Sequence, residues 1–293
     1  MKIPEIIIHE AESLFHASKL SQQFGQNGKI LAAGTDVVVD LKQNRYYVQN
    51  IVSINNLHAL KKIEDINGTL KIGALVTASE LESSSIIRSK FIALSEAAGC
   101  MASPPIRNVA TIGGNIAGGV PSADLPPSLI AVDAILHIFR EGHDKQMKLK
   151  DFFVFARETK LEPGDIITFI EVSPLPEGTG TAYQKFGLRE SNACTVAGVA
   201  VRISLDKDRI IASTITLGAV APTPLIACKA SQYLQNKIVS DEVIVQASIL
   251  AAEEAKPITD IRSTIDHRKQ IVQILTKRAL QLAAKRAKEK VMM

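Results

Sequence analysis

The chain has 293 residues, of which 46% are hydrophobic and 22% are charged, and its formal net charge is +4. This length allows two domains or one large composite domain, and the composition is typical of a globular protein. The sequence has no apolar run long enough to span a membrane. Met1 to Glu5 includes a proline and an acid where a signal peptide has its apolar region, so we expect a cytoplasmic protein.

The three cysteines, Cys100, Cys194 and Cys228, are scattered along the chain and form no CxxC pair. Iron–sulfur clusters and structural zinc sites need closely spaced thiolates, so we do not expect either within this chain. The six histidines form no HxxxH or HExxH pattern. Each histidine is therefore interpreted as a surface or core residue, and no metal ligand is assigned.

Basic residues are concentrated near the C-terminus, and their simplest interpretation is the solvated face of a helix. No aromatic residue is interleaved with these charges, so the pattern does not indicate nucleic-acid binding. Contact with an acidic partner subunit is the functional alternative. The residues concerned are Arg268, Lys269, Lys277, Arg278, Lys285, Arg286, Lys288 and Lys290.

The N-terminal part of the chain alternates strand and helix patterns. Apolar residues at 14, 17, 20 and 24 share one helical face, and Gly25 is a typical helix end. The predicted elements are a strand over 5–9, a helix over 14–24, a strand over 29–32, a helical turn over 37–42 and a strand over 48–54. This order predicts a small α/β lobe.

The middle of the chain begins with a hairpin, because Asn67-Gly68 lies between two short apolar runs at 63–66 and 70–72. Thr77 and Glu80 form a capping box that starts a helix. Ser89 is predicted to cap a further helix that ends at Gly99. A helix over 124–132 and strands over 135–139 and 166–172 complete this region.

The proline- and glycine-rich stretch 173–180 is the best candidate for a linker. Strands are predicted beyond it over 182–188, 195–205 and 210–219, with the last two joined as a hairpin through 206–208. Helices are predicted over 227–236, 242–256 and 267–288. Strands followed by helices predict a separate α+β domain.

Two short segments, each predicted to be a loop after a strand, are candidates for a binding site. Thr111 to Gly119 contains two glycine pairs that flank Asn115, and Ala32 to Asp36 contains Gly34. Glycines allow a ligand to approach the backbone, and clustered N–H groups can bind a pyrophosphate. Neither segment matches the Rossmann or P-loop pattern. A glycine-rich turn between strands is the simpler alternative.

Taken together, these segments resemble the FAD-binding medium subunits of the molybdenum hydroxylases, the family of xanthine dehydrogenase and carbon monoxide dehydrogenase. Family members carry A-G-G-T-D and, about eighty residues later, T-I-G-G-N; Ala32–Asp36 and Thr111–Asn115 stand in those places. The resemblance covers nearly the whole chain. Further similar segments are Ser103–Asn108 (P-Q-I-R-N), Pro121–Pro126 (P-A-A-D-L-P), Leu217–Pro222 (L-G-G-V-A-P) and Pro257–Arg262 (P-I-x-D-x-R).

The resemblance implies an α+β protein with an FAD-binding fold of the p-cresol methylhydroxylase and vanillyl-alcohol oxidase type. The FAD-binding domain is expected over 1–175, with α/β subdomains over about 1–55 and 56–175. A C-terminal domain over 176–293 is expected to combine a three-stranded antiparallel sheet with a helical bundle.

The resemblance also implies which residues contact FAD. One side of the pyrophosphate would be lined by Leu31, Ala32, Ala33, Gly34, Thr35, Asp36 and Val37. Backbone donors of Thr111, Ile112, Gly113, Gly114 and Asn115, with the Asn115 amide, would line the other side. Asp124 would accept from a ribose or adjoining hydroxyl, Ile167 would lie beside the adenine, and Lys185 near the flavin. The alternatives are a helix cap for Asp124, compatible with the ribose role, a core residue for Ile167 and a solvated strand-end lysine for Lys185.

The sequence departs from the family pattern at two positions. Ala33 replaces the middle glycine of A-G-G-T-D, and its methyl would cost about 1 kcal/mol if φ there must be positive. If the pyrophosphate touches this residue, the methyl would push the phosphate away, so Ala33→Gly is predicted to tighten binding severalfold. Asn192 replaces an aspartate common near the flavin, and the lost charge would alter which oxidant reaches the flavin.

The implied function is an electron relay without catalytic or metal-binding residues of its own. Molybdopterin on a large subunit and [2Fe-2S] clusters on a small subunit would deliver electrons to FAD here, in a dimer of heterotrimers. NAD or oxygen would accept them. The alternatives are a structural subunit that has lost FAD, suggested by Ala33, and a self-contained flavin reductase of the same fold. The family-like C-terminal domain argues against the reductase.

Overall fold

The computed structural model describes residues 5–291, and side chains through residue 289. Met1 to Pro4, which were used in the expectation about a signal peptide, and the side chain of Lys290 lie outside these described residues. No helix in the described part of the chain is both long and apolar enough to cross a membrane.

Residues 5–54 form a lobe around a three-stranded parallel sheet, in the order β1-β3-β2. The first helix begins at Ser13, whose Oγ accepts from the His16 N–H, and ends at Gly25 with φ of +52°. The apolar pattern and both helix boundaries therefore agree with the structure. The elements are β1 (Ile7–Glu10), α1 (Leu14–Phe24), β2 (Gly28–Leu31), α2 (Val37–Lys42) and β3 (Asn50–Ser53).

The second part of the chain packs helices on a five-stranded antiparallel sheet, in the order β4-β5-β10-β6-β7, with a separate β8–β9 hairpin. Positive φ at Asn67 and Gly68 gives the turn that the Asn-Gly pair predicts. The elements are β4 (Ile63–Ile66), β5 (Thr69–Gly73), α3 (Ala78–Ser83), α4 (Ser85–Lys90), α5 (Ile92–Gly99), α6 (Pro104–Arg107), α7 (Ile112–Ala117), α8 (Leu125–Ala131), β6 (Ile135–Arg140), β7 (His143–Lys148), β8 (Phe153–Phe155), β9 (Glu158–Thr159) and β10 (Ile166–Val172).

Two sequence predictions in this region need correction. Ser89 caps no helix: it lies inside α4, which Ser84 caps, and its Oγ donates to the Ile86 carbonyl. The helical conformation is interrupted between α4 and α5 at Phe91, where φ is −137°. No side chain caps the start of α5. Strand β7 and the β8–β9 hairpin were not predicted, because exposed polar residues fill β7 and the hairpin strands are too short to show alternation.

The C-terminal part contains a four-stranded antiparallel sheet, in the order β11-β12-β13-β14, where three strands were expected. The fourth strand has only two residues, too few to show a pattern in the sequence. The close approach of α11 to this sheet requires Gly180, because a Cβ there would lie 1.9 Å from the Ala283 carbonyl oxygen. The elements are β11 (Thr179–Gly187), β12 (Thr195–Asp206), β13 (Arg209–Gly218), β14 (Leu225–Ile226), α9 (Cys228–Leu234), α10 (Asp241–Glu254) and α11 (Ile265–Val291).

The core is continuous across the boundary between the second part and the C-terminal sheet. Tyr183 on β11 and Ala200 on β12 belong to the same buried cluster as Leu94, Leu129 and other residues of the preceding helices. Helices α5 and α8 lie against this sheet. The sheet thereby brings its strand residues next to the segments that were predicted to bind a ligand.

The basic residues of α11 are not all solvated, which corrects the simplest interpretation of the C-terminal charges. Arg268 is only 2% exposed and donates to the carbonyls of Val196 (2.7 Å) and Ala219 (3.1 Å) and to Asp260 Oδ1 (2.7 Å). Although burial alone would raise the pKa of Asp260, hydrogen bonds from Arg262 and Arg268 hold that pKa well below its usual range. Arg268 therefore acts as a brace, by which we mean that it joins α11 to the carbonyls of Val196 and Ala219 and to Asp260.

We expect Arg268→Met to lower the free energy of unfolding by about 2–3 kcal/mol, because it removes a buried guanidinium that donates to two main-chain carbonyls and to Asp260. Arg278→Met, an exposed position on the same helix, is the matched control and should change stability by less than about 0.5 kcal/mol. Urea denaturation followed by circular dichroism measures both. Equal effects in the two variants would contradict the assignment of Arg268 as a brace.

Candidate functional site

The turn between β2 and α2 offers a row of unused backbone donors. None of the N–H groups of residues 32–37 donates to an acceptor within residues 5–291. Gly34 has φ of +78°, and a Cβ there would lie 3.0 Å from Leu31 Cδ1. Clustered free N–H groups are the arrangement that binds an anion such as a phosphate. We call residues 32–37 the cradle turn.

Ala33 does not have the positive φ that would make a glycine necessary there. The residue of the cradle turn with positive φ is Gly34, and Ala33 itself is exposed. The strain considered from the sequence is thus absent. Any effect of the Ala33 methyl on a ligand must come from direct contact.

The sequence suggested that the second glycine segment is a loop after a strand, and the structure corrects this. It follows the short helix α6, and Thr111 caps α7 by accepting the Gly114 N–H on its Oγ1 (3.1 Å). Thr111 takes part only in an isolated bridge with Thr77. Gly113 and Gly114 have no positive φ. Gly113 and Gly114 thus belong to a helix start and not to a strained turn, whereas Gly119, beyond α7, has φ of +55°.

Four of the five backbone donors expected from this segment, those of residues 112–115, are already used inside the protein, and only the Thr111 N–H has no acceptor within residues 5–291. Ile112 donates to the Val76 carbonyl and Gly113 to the Ala74 carbonyl (both 2.9 Å), and Asn115 donates to the Thr111 carbonyl (2.9 Å). A Cβ at Gly113 would lie 2.7 Å from both the Cβ and the carbonyl oxygen of Ala74. Gly113 therefore allows α7 to approach the end of β5, and the prediction of phosphate-binding donors at 112–115 requires correction.

The Asn115 side chain is the polar group of this segment whose hydrogen bonding is incomplete. Within the described part of the chain its Oδ1 is buried without a hydrogen-bond partner, and its Nδ2 has only a weak contact with Met101 Sδ (3.5 Å). Leaving a buried acceptor unsatisfied costs about 1–3 kcal/mol, so such an atom is a reasonable point for a ligand to donate.

The cradle turn and α7 lie against each other. Asp36 Oδ2 is 3.5 Å from the position that a Cβ on Gly118 would occupy, at the end of α7. Gly119 accepts the Arg157 N–H (2.8 Å), which places the β8–β9 hairpin at the same end. The structure thus brings the two segments together as the sequence suggested.

Asp124 is buried in a polar cluster between the two parts of the molecule. Its Oδ1 accepts from the Tyr183 hydroxyl (2.8 Å) and Thr195 Oγ1 (2.6 Å), and its Oδ2 accepts from Lys185 Nζ (3.0 Å). Burial raises the pKa of Asp124, although Lys185 and the two hydroxyls oppose that rise. Asp124 occupies the N-cap position of α8, as the helix-cap alternative expected, but its side chain makes no cap hydrogen bond to that helix. A ribose hydroxyl could use only the remaining acceptor capacity of Oδ2.

Lys185 is also buried, with 9% of its side chain exposed, so the solvated-lysine alternative is wrong. Besides Asp124, its Nζ donates to the Cys100 carbonyl (2.9 Å). Cys100 adjoins Met101, whose sulfur contacts the Asn115 amide. The structure therefore joins the predicted residues Asp124, Lys185 and Asn115 through one short segment.

Residues 100–102 also hold the loop that carries Asn192. The Asn192 N–H donates to the Ala102 carbonyl (2.9 Å), and Ala102 has a positive φ of +43° although it is not glycine. The Arg189 guanidinium donates to the Asn192 carbonyl. The position of Asn192 is thereby fixed relative to Lys185, and its effect on the electron acceptor stays a prediction.

Sequence reasoning missed Tyr183 and Thr195. Tyr183 lies two residues before Lys185 on β11, and the period of a strand places both on one face. That alternation was a usable signal for Tyr183. Thr195 begins β12 after a loop, and no pattern in the sequence indicates that its hydroxyl turns to Asp124.

Ile167 lies in the apolar core, 6% exposed, on β10. The register of β10 with β6 shifts between Ile167 and Phe169, and the Thr168 carbonyl accepts the Ala74 N–H (2.8 Å). This bulge positions Ala74, which in turn holds Gly113. A contact between Ile167 and an adenine stays a prediction.

With this geometry described, comparison with known proteins decides the family. Residues 4–175 match the model of the FAD binding domain in molybdopterin dehydrogenase, and residues 181–283 match that of the CO dehydrogenase flavoprotein C-terminal domain. The chain belongs to the FAD-binding medium subunits of the molybdenum hydroxylase family. It is an oxidoreductase subunit.

This medium subunit is similar to relatives over almost its full length. The carbon monoxide dehydrogenase medium chain of Hydrogenophaga pseudoflava is 31% identical over 96% of this chain and 97% of its own. The xanthine dehydrogenase FAD-binding subunit of Escherichia coli O157:H7 is 31% identical over 93% and 94%. The crystal structure of carbon monoxide dehydrogenase from H. pseudoflava superposes with a TM-score of 0.93, covering 98% of this chain and 99% of that one.

The residues of the medium subunit fit the cofactor of its family. The cradle turn has N–H groups without acceptors within residues 5–291, which suit a pyrophosphate, and Asn115 on the helix that contacts this turn has a buried acceptor without a partner in the same described residues. Replacement of the family glycine by Ala33 does not distort the turn. Ala33 therefore gives no backbone reason to expect that the cofactor has been lost.

We expect Gly34→Ala to weaken FAD binding about tenfold, because a Cβ at a φ of +78° strains the cradle turn by about 1–2 kcal/mol. Ala33→Gly is the matched change at the neighbouring residue. Because Ala33 has no strain to relieve, it should alter affinity less than about threefold, a smaller effect than the sequence alone predicted. Fluorescence titration of the apo chain with FAD measures both. Strong tightening in Ala33→Gly would show that the methyl touches the phosphate.

We expect Lys185→Met to lower the free energy of unfolding by about 3 kcal/mol, because it leaves the Asp124 carboxylate buried without its cation. Adding Asp124→Asn should recover part of this loss, since the unpaired charge is then removed. Guanidinium denaturation of the single and double variants measures the coupling. Strictly additive losses would argue against a buried pair.

Proposed function

We propose that the chain holds one FAD non-covalently between the cradle turn and α7 and forms an electron relay. Electrons would reach it from iron–sulfur clusters on a small subunit, supplied by molybdopterin chemistry on a large subunit. They would leave to an acceptor such as NAD or oxygen. A bound flavin exchanges electrons between one-electron and two-electron carriers.

One observation supports this proposal most directly. The row of unused N–H groups at residues 32–37 lies against a helix whose Asn115 carries a buried, unpartnered acceptor. In this assignment residues 31–37 hold the pyrophosphate, and the Asn115 amide accepts from the cofactor. Ile167 lies beside the adenine. Asp124 and Lys185 fix the C-terminal sheet against the flavin end.

Names of relatives support a multi-subunit assembly. One relative of 29% identity is the 6-hydroxypseudooxynicotine dehydrogenase complex subunit alpha of Paenarthrobacter nicotinovorans, and others are named medium chains. We infer for this chain a dimer of heterotrimers in the cytoplasm. The division into an FAD-binding domain over 1–175 and a C-terminal domain over 176–293 is part of the same proposal.

Non-covalent binding is consistent with the state of Cys100, which the structure places near Lys185. Its Sγ donates to the Glu96 carbonyl, and although the residue as a whole is exposed, burial of the sulfur and the charge of Asp124 raise the pKa of the thiol to about 11. A thiol with this pKa is almost wholly protonated at neutral pH and is a poor nucleophile. We therefore assign no covalent flavin link to Cys100.

The test is an anaerobic titration of the purified full chain. The chain should carry flavin that denaturation releases entirely, and dithionite should bleach it. Purines, aldehydes and heteroaromatic acids should not bleach it until the small and large subunits are added. Asn115→Leu should then block flavin reduction and leave cluster reduction intact. Bleaching by substrate without partners would favour a self-contained flavoenzyme, and a colourless complex would favour a structural subunit.

A further inference from the structure

An ion pair joins the lobe of residues 5–54 to the β8–β9 hairpin. The Asp40 carboxylate on α2 is nearly buried, with 10% of its side chain exposed. Its Oδ2 accepts from Arg157 Nη1 (2.9 Å), and its Oδ1 accepts from Arg45 Nη1 (2.6 Å). Since Arg45 belongs to the same lobe, the contact with Arg157 is the one that crosses to the next part of the chain.

Both ends of this ion pair are tied to the predicted cofactor site by backbone hydrogen bonds. The Asp40 N–H donates to the carbonyl of Asp36 in the cradle turn (2.8 Å). The Arg157 N–H donates to the carbonyl of Gly119, just beyond α7 (2.8 Å). The ion pair therefore connects the two segments that are assigned to opposite sides of FAD.

The lobe is attached differently on its other face. Val52 of β3 packs with Ala17 of α1 and with Ile166 of the five-stranded sheet, whereas the neighbouring Ile51 packs with Leu41 of α2 in a separate cluster. Helices α1 and α2 thus cover opposite faces of the lobe. On the α1 face the connection is apolar packing together with hydrogen bonds of Ser18 and Ser21 to Gly164 and of Ser18 to Glu141. On the α2 face the connection is a partly solvated ion pair.

The backbone at Arg157 is unusual for an arginine. It has φ of +63°, in a two-residue turn between Phe155 and Glu158. Glycine adopts this conformation without strain, whereas in an arginine it is strained and must be offset by contacts of the side chain. The ion pair of its guanidinium with Asp40 is such a contact.

We propose that the Asp40–Arg157 ion pair is a latch that slows the release of FAD by holding the cradle turn against the α7 side of the cleft. This inference rests on the proposed binding of FAD between those segments. Arg157 acts through Asp40 and is a positioning residue. Breaking the ion pair would free the α2 side of the lobe while the apolar packing under α1 remains.

The test uses the full chain loaded with FAD and measures the rate of FAD release from the rise in flavin fluorescence on dilution. Arg157→Gly should raise this rate about three- to tenfold, as expected for a partly exposed ion pair. The melting temperature of the FAD-free variant should not fall, because glycine suits the positive φ. Arg157→Lys should retain part of the slow release. Arg140→Gly, which removes a similarly exposed arginine paired with Glu162, is the control and should not change the rate.

Two further measurements separate a latch from a direct contact of Arg157 with FAD. Asp40→Asn should raise the release rate as Arg157→Gly does, and the double variant should add little. Release from the unmodified chain should accelerate with salt more steeply than release from Arg157→Gly. An unchanged rate in Arg157→Gly, or normal release in Asp40→Asn, would overturn the latch. An unmodified chain that binds no FAD would instead overturn the proposed function, and the latch with it.

Discussion

The approach of α7 to the end of β5 constrains the rest of the site. Because Ile112 and Gly113 donate to the carbonyls of Val76 and Ala74, the start of this helix is joined to the sheet through its main chain. A side chain at Gly113 would collide with Ala74, so only glycine permits that contact. The N–H groups used in this way cannot serve an anion. In the proposed binding mode the phosphate donors are instead the N–H groups of the turn at residues 32–37, which have no acceptor within residues 5–291.

The boundary with the C-terminal sheet depends on a second constraint, the burial of charge. Asp124 and Lys185 lose their hydration there, and their attraction offsets this cost only because Tyr183, Thr195 and the Cys100 carbonyl complete the hydrogen bonding. Glu96 adds a parallel link, since it pairs with Arg286 and accepts the Tyr183 N–H. Such a network tolerates little displacement, so it fixes the sheet in one position more than it stabilises the fold.

The sequence was a good guide where one residue determines local geometry. The Asn67-Gly68 turn, the Thr77 capping box, the ends of α1 and the C-terminal hairpin all follow from residue type and period. It was a poor guide where tertiary contacts decide. Nothing local shows that the glycines after Thr111 start a helix, that Lys185 is buried, or that Arg268 braces α11. For Lys185 and Arg268 the partners lie far away in the chain, so spacing carries no signal. For α7, the local cap by Thr111 does not reveal that Ile112 and Gly113 donate to the distant Val76 and Ala74 carbonyls.

Two residues with strained backbone connect segments of the assigned site. Ala102 and Arg157 both have positive φ without being glycine, and such conformations cost about 1 kcal/mol or more each. Ala102 accepts from the loop of Asn192, and Arg157 donates to the end of the glycine segment. Both residues therefore use their main chain to connect elements that would otherwise move separately. Each of these locally unfavourable conformations is retained where it joins two segments. In the proposed binding mode, Ala102 and Arg157 both lie next to the cleft assigned to FAD.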